Sequence, residues 1–488
     1  MSWHRERRAG LVAAAALAVA AAVAPSPALA QVEPPPPLPA SPIRFPEFRE
    51  YRLENGLRVA VVSYGTQPVV SARLYVRGGW SADPPAQAGL AALAATVLTR
   101  GTANRTAPEI AALIEGVGGS ISANAGQEFF NVGTVSLTED VELAFDLLSD
   151  VVRNVTFPED EVELARRQIL SSLQAELGEA DVVASKTFDT VLYGSDHPYG
   201  LNATPATVQA ISRDDLLAFR DRVLVPNGGL LLVAGQVDPD RVAALARQYF
   251  GDWSGGQPFA PVVPEPAPRT SRDVYLVHRP GSVQSVVMVG DLGIAADNPD
   301  YFPLLVLNQV LGGSEGRLED VLREERGWTY YAYSTFNRPT RRGYFLAQTE
   351  SRTEVTDSTV AEILEQFRRL RDETVPEAEL EEAKAFLAGS FPLRLETADQ
   401  VASQLAGSLL LGLPIEDVTE YPERIRAVTG DDVRRVAREY IDPDRVAVIV
   451  VGDATILLDR LRALGTIHLL DVEGNPLSPE SLGSQLAP

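Results

Sequence analysis

An apolar stripe at helical spacing runs through residues 87–102. Its apolar positions are Leu90, Leu93, Ala94, Val97 and Leu98. This spacing predicts a helix with one buried face, and Gly101 is expected to end it. Alternating apolar residues predict a strand before the helix, at residues 69–76, and another after it, at residues 128–137. On pattern alone, this is an alanine-rich helix in the core of a mixed fold.

The second half of the chain repeats the pattern of the first. Ser212 precedes Gly235 by 23 positions, and Thr429 precedes Gly452 by the same 23. Each stretch reads as a helix, a proline turn and an apolar strand, and agreement at both ends indicates an internal repeat. Residues 255–271, rich in glycine and proline, separate the two copies. We therefore predict an α+β fold of two homologous halves, each an antiparallel-rich β-sheet packed with helices, joined by a Pro-rich linker.

The N-terminal segment has the pattern of a secretory signal. A basic start is followed by an apolar run at residues 11–23 and by Ala28-Leu29-Ala30. We therefore predict an exported, periplasmic protein. The predicted boundaries are a signal peptide (1–30), a Pro-rich lead-in (31–47), an N-terminal domain (48–254), the linker (255–271) and a C-terminal domain (272–488).

The formal net charge is -23. So acidic a surface disfavours nucleic acid and anionic membrane faces, and it favours cationic or neutral partners. After the signal segment no apolar run reaches the length of a membrane span. The chain has no cysteine, and beyond the signal segment its only histidines are His197, His278 and His468. A zinc site needs three or four ligands, so this inventory argues against zinc bound by the chain itself.

The predicted helix also lies in a longer motif. The motif residues are Gly89, Leu90, Ala91, Leu98, Gly101 and Thr102. They resemble the Gly-Leu-Ala-His-x-x-Glu-His-x-Leu-x-x-Gly-Thr motif of the pitrilysin-like (M16, inverzincin) zinc peptidases, the family that includes the mitochondrial processing peptidases. The resemblance extends over about residues 48 to 470.

The metal-binding positions of that motif are changed. Ala92 and Thr96 stand where the resembled family has its two zinc histidines, and Ala95 stands where it has its glutamate base. The family's third ligand falls near Ser172. The resemblance therefore implies a peptidase frame without intrinsic catalytic or metal residues, similar to non-catalytic processing-peptidase-type subunits.

A second motif lies in the C-terminal half. Residues 322–330 are similar to the family's Leu-Arg-Glu-Glu-x-Gly-Leu-Ala-Tyr, with Arg323 and Tyr330 at its arginine and tyrosine. The resemblance implies that these two side chains contact the peptide near the scissile bond. In the alternative interpretation, Arg323 pairs with a surface acid and Tyr330 is a core residue of a strand.

These observations favour a non-catalytic subunit of an exported heteromeric peptidase. We expect no enzymatic activity from the chain alone, no cofactor bound by it, and a homologous partner that carries the zinc. Peptide substrates are expected to add to a sheet edge, for which residues 119–128 are the candidate. Two alternatives remain open: a scaffold without any peptidase role, and an independent metallopeptidase with a relocated metal site.

Overall fold

Two six-stranded mixed sheets form the framework of the computed structural model, which describes residues 45–483. The strand order is β1-β2-β6-β3-β5-β4 in the first sheet and β12-β7-β11-β8-β10-β9 in the second. The strands are β1 (Phe48–Arg52), β2 (Arg58–Ser63), β3 (Val69–Arg77), β4 (Ser120–Ala125), β5 (Phe129–Leu137), β6 (Leu230–Gly235), β7 (Asp273–His278), β8 (Gln284–Leu292), β9 (Thr329–Phe336), β10 (Tyr344–Arg352), β11 (Ala447–Gly452) and β12 (Thr466–Leu470).

Helices pack on both sheets. They are α1 (Leu90–Leu98), α2 (Ala107–Glu115), α3 (Val141–Asn154), α4 (Glu159–Glu176), α5 (Ala180–Tyr193), α6 (Pro205–Ala210), α7 (Arg213–Val223), α8 (Pro239–Phe250), α9 (Tyr301–Gly312), α10 (Arg317–Glu319), α11 (Thr356–Asp372), α12 (Glu377–Ser390), α13 (Ala398–Leu411), α14 (Glu416–Thr419), α15 (Tyr421–Ala427), α16 (Gly430–Tyr440) and α17 (Ala454–Leu461). A short π-helical turn, Asp320–Glu325, continues α10.

The repeat in the sequence is visible in the helix caps. Ser212 and Asp215 form a capping box at the start of α7, and Thr429 and Asp432 form the same box at the start of α16. A capping box satisfies two backbone donors at a helix start, so the same signal begins both helices. The predicted α+β fold with two similar halves is confirmed. The halves differ at one edge, where β1 pairs antiparallel with β2 but β12 pairs parallel with β7.

One helix from each half packs on the sheet of the other half. Helix α5 of the first half packs on β8 and β11 of the second sheet, and α13 of the second half packs on β6 of the first sheet. Arg73 on β3 forms an ion pair of 2.6 Å with Asp399 at the start of α13. At the other end of α13, the guanidinium of Arg58 donates to the carbonyl of Leu409 at 3.3 Å. A cation at these carbonyls also suits the helix dipole.

A buried carboxylate also joins the halves. Glu128 accepts hydrogen bonds from the Tyr199 hydroxyl at 2.7 Å and from the backbone N–H and hydroxyl of Thr340, both at 2.9 Å. Thr340 lies in the loop between β9 and β10. Burial and the Glu128 carboxylate raise the pKa of Tyr199. The three donors stabilise an anion that would otherwise be costly to bury.

Residues 256–272 carry no helix or strand. This segment is anchored at Pro264, whose carbonyl lies 3.0 Å from Nε2 of His197. Within residues 45–483 no helix is long and apolar enough to cross a membrane. The predicted signal peptide, residues 1–30, lies outside the described residues.

Candidate functional site

Helix α1 begins at Leu90, the first residue of its apolar stripe. Gly89 has a φ of 100°, in the left-handed region, so the helix does not include it. The carboxylate of Asp83 accepts hydrogen bonds from the N–H groups of Gly89 and Ala91 at 2.9 and 3.0 Å. Burial raises the pKa of Asp83 to about 7. The first turn of α1 is therefore held by a buried acid six residues before its cap.

The four positions that correspond to the family's metal site lie on α1 and α4, which pack against each other. Ala92 is exposed and Ala95 is buried. The hydroxyl of Thr96 donates to the carbonyl of Ala92 at 2.9 Å. Ser172 is exposed on α4, and its hydroxyl donates to Glu176 at 3.3 Å. In the structure, these four positions therefore lie on two helices that pack against each other.

The residues at these positions do not fit a zinc ion. Zinc is bound in proteins by thiolate, imidazole and carboxylate ligands. Two methyl side chains and two neutral hydroxyls supply none of these. Among residues 45–483 no group of three or more His, Cys, Asp and Glu side chains is arranged to hold a metal ion.

The three histidines lie apart and have separate partners. Nδ1 of His197 accepts from the N–H of Tyr199 at 3.0 Å. Nδ1 of His278 accepts from the N–H of Ala454 at 3.1 Å, and burial lowers the pKa of His278. His468 stacks on Tyr275 with 4.7 Å between ring centroids. Each contact is one that a structural histidine makes.

The structure brings Arg323 and Tyr330 together. The guanidinium carbon of Arg323 lies 5.5 Å from the centre of the Tyr330 ring, which is within the range of a cation–π contact. Arg323 also pairs with Glu319 and, at 3.4 Å, with Glu324. Tyr330, at the start of β9, is 82% exposed. The alternative that Tyr330 is a core residue is therefore wrong, whereas the pairing of Arg323 with a surface acid is present.

Two further tyrosines follow Tyr330 on β9, and one of them contacts an aspartate of α5. Tyr331 and Tyr333 stack with 6.0 Å between their centroids. The Tyr331 hydroxyl lies 3.4 Å from a carboxylate oxygen of Asp181 and donates to it, and burial raises the pKa of Tyr331 to about 12. Asp181 belongs to α5, the helix of the first half that packs on the second sheet. The run Tyr330-Tyr331-Ala332-Tyr333 was the available sequence signal, but nothing in it indicated Asp181.

The α4–α5 turn connects the two groups of residues along the chain. Ser172 lies near the end of α4, and Asp181 lies in the first turn of α5. Glu176, between them, forms an ion pair of 2.5 Å with Lys186. Ser172, one of the degenerate metal positions, and Asp181, the partner of Tyr331, therefore flank one turn.

Strand β4, Ser120–Ala125, is the last strand of the first sheet. Its side chains alternate between exposed and partly buried. The segment 119–128 thus contains a sheet edge, the kind of element that can pair with an extended peptide.

Two family models match the chain. They are Insulinase (Peptidase family M16), over residues 58–192, and Peptidase M16 inactive domain, over residues 210–387. Together they cover more than half of the 488 residues. With the two matching halves of the fold, they show that the chain belongs to peptidase family M16.

Individual relatives extend over nearly all of the described chain. An uncharacterized zinc protease of Mycobacterium bovis is 29% identical over 440 residues, 87% of this chain and 98% of the relative. Mitochondrial-processing peptidase subunit beta of Blastocladiella emersonii is 24% identical over 448 residues, 88% of this chain and 94% of the relative. A solved crystal structure, that of a peptidase M16 inactive domain from Pseudomonas fluorescens, superposes with a TM-score of 0.78 at 25% sequence identity. The match covers 83% of this chain and 98% of the Pseudomonas chain.

Proposed function

We propose that this chain is a non-catalytic subunit of an exported, heteromeric M16-type metallopeptidase. It forms half of a chamber for peptides and places Arg323 and Tyr330 against the substrate or the transition state. One observation carries the proposal. An arginine and an exposed tyrosine are held together in a chain whose family metal positions are alanine, alanine, threonine and serine.

The chemistry of the pair suits such a role. Hydrolysis of a peptide bond passes through a tetrahedral oxyanion, and positioned hydrogen-bond donors lower its free energy. The Tyr330 hydroxyl and the permanently charged guanidinium of Arg323 are both donors. Neither group can generate the attacking hydroxide, so the metal and the general base must come from a partner.

The partner we propose is a homologous M16 subunit with its zinc ligands intact. One relative of this chain is itself named a subunit of a processing peptidase, which supports a multi-subunit assembly. The net charge of -23 favours cationic or neutral peptides as substrates. The pattern of residues 1–30 supports export and a periplasmic location.

A scaffold protein without a peptidase role is the second candidate function. The ion pairs of Arg323 with Glu319 and Glu324 favour it, because they occupy the guanidinium within the chain. An independent metallopeptidase with a relocated site finds no support in the ligand groups of residues 45–483.

Reconstitution tests the proposal. The mature chain is mixed with a zinc-bearing M16 homologue from the same genome, and hydrolysis of a quenched peptide library is measured for each protein alone and for the pair. We expect a stable complex that is active only when both chains are present. A homologue that is fully active without this chain, and unchanged by it, would contradict the proposal.

A further inference from the structure

A small cavity lies beside α13, on the second half of the molecule. Its volume is about 110 Å³, and its walls come from α9, α13, α14, α15, residues 391–394 and the loop at Arg338. Tyr421 is 97% buried and lines this cavity, yet its hydroxyl has no hydrogen-bond partner within the described chain. An unpaired buried hydroxyl costs about 1–3 kcal/mol, so it calls for a ligand or a water molecule.

Two guanidinium groups line the same cavity. Arg338 lies 3.3 Å from the centre of the Tyr301 ring and donates to the carbonyl of Ala296 at 2.9 Å, so no carboxylate accounts for its charge in these contacts. Arg394 is exposed at the rim. Burial raises the pKa of Tyr421 to about 12, and the charge of Arg394 acts in the opposite direction. The hydroxyl of Tyr421 is therefore a donor at physiological pH, close to positive charge.

One wall of the cavity is formed by Gly407, which has no side chain to fill the space. Gly407 lies inside α13, where glycine costs about 1 kcal/mol relative to alanine. A Cβ at this position would meet no atom within 4 Å. Ser403, Gly407 and Leu411 also line a wider groove between the two halves. The cavity and the groove therefore share these three residues, and Gly407 places no side chain between them.

The remaining wall limits the charge of a ligand. Asp417 lines the cavity and forms an ion pair of 2.5 Å with Arg424. Its carboxylate would repel a second negative charge. The ring of Phe391, stacked on that of Tyr421 at 4.2 Å, adds an apolar surface. The hydroxyl and guanidinium donors can bind an anion, whereas Asp417 and the Phe391 ring favour one that is singly charged and planar.

We propose that this cavity binds one carboxylate group, which accepts hydrogen bonds from the Tyr421 hydroxyl and from the guanidinium groups of Arg338 and Arg394. The carboxylate belongs either to a small free acid or to the C-terminus of a peptide that lies in the groove. This site is independent of the proposed peptidase role.

Titration calorimetry on the full mature chain tests the site, at constant ionic strength. The probes are propionate as the free acid, and N-acetyl-alanyl-alanine with a free or an amidated C-terminus. We expect saturable binding of at least one carboxylate and none of the amide. Tighter binding of the peptide acid identifies a C-terminus, and equal or tighter binding of propionate identifies a small acid.

Three variants locate the binding. Tyr421→Phe removes only the hydroxyl and Arg394→Ala removes one cation, and each should weaken binding by about tenfold or more, the usual effect of one charge-assisted hydrogen bond. Gly407→Leu fills the cavity and should abolish binding. Gly389→Leu is the matched control, since Gly389 also has open space but lies on α12 and does not line the cavity. The absence of saturable binding to the folded wild-type chain, or unchanged affinity in Tyr421→Phe and Gly407→Leu, would overturn the proposal.

Discussion

The guanidinium carbon of Arg323 lies 5.5 Å from the centre of the Tyr330 ring, and the same guanidinium forms ion pairs with Glu319 and Glu324. The acids fix the guanidinium, and the guanidinium in turn restrains an otherwise exposed ring. If the pair stabilises an oxyanion, Arg323→Ala and Tyr330→Phe should each lower kcat of the reconstituted complex by about a hundredfold. The measurement is steady-state turnover, with the melting temperature of each variant alongside.

Arg326→Ala is the matched control for this prediction. Arg326 lies 5.4 Å from the ring of Trp328 in the same segment, so the variant removes a similar cation–π contact outside the motif pair. We expect its kcat to match that of the wild type. If all three variants leave kcat unchanged in an intact complex, the scaffold function is the correct one.

Restoring the family's ligands should create a zinc site. The variant combines Ala92→His, Ala95→Glu, Thr96→His and Ser172→Glu. Positions 92 and 96 are one helical turn apart, so two imidazoles there can share a metal. Zinc affinity is measured by competition with a chromogenic chelator, and the wild-type chain is the control. A folded variant that gains no affinity would show that the metal site is not at these four positions.

Removing the carboxylate between the halves should destabilise the whole chain. Glu128→Ala leaves the Tyr199 hydroxyl and the Thr340 N–H without their acceptor. We expect a loss of about 3 kcal/mol in the free energy of unfolding, measured by urea denaturation. Glu115→Ala, at an exposed position on α2, should change it by less than about 0.5 kcal/mol. Equal stability of the two variants would show that Glu128 is not needed to hold the halves together.

Asp189 should make the stability of the chain fall as the pH rises. Burial raises the pKa of Asp189, on α5, from 3.8 to about 7. The folded state therefore holds a proton that the unfolded state has lost between these values, and ionised Asp189 opposes folding above about pH 7. Asp189→Asn should stabilise the chain by more than about 1 kcal/mol at pH 8 and by little at pH 4. The exposed Asp196→Asn is the control, and a pH-independent gain at Asp189 would contradict this account.

The sequence predicted the elements well because their signals are local. The helix starts at Ser212 and Thr429 and the apolar stripe of α1 follow from patterns in the nearby sequence. The exchange of α5 and α13 could not be predicted in this way. An amphipathic helix shows which face it buries, but not which of two similar sheets covers that face.

The candidate site was predicted only in part, for the same reason. Arg323 and Tyr330 stand seven residues apart in one motif, and the structure places them in contact. Asp181 and Tyr331 form a hydrogen bond although they are 150 positions apart in the sequence, and Glu128 and Thr340 do so at a separation of 212 positions. Such pairs leave no local pattern. Tyr421 and Gly407 belong to no sequence motif, and they are identified as a candidate site only because they line the same cavity.

The zinc content of the purified chain tests the central claim most directly. The mature protein is loaded with excess zinc, passed over a desalting column and analysed by mass spectrometry for metal per chain, with the four-residue restored variant as the positive control. Because the family's ligand positions hold Ala92, Ala95, Thr96 and Ser172, we predict no stoichiometric zinc and no peptide cleavage by the chain alone. One tightly held zinc per wild-type chain would contradict the account.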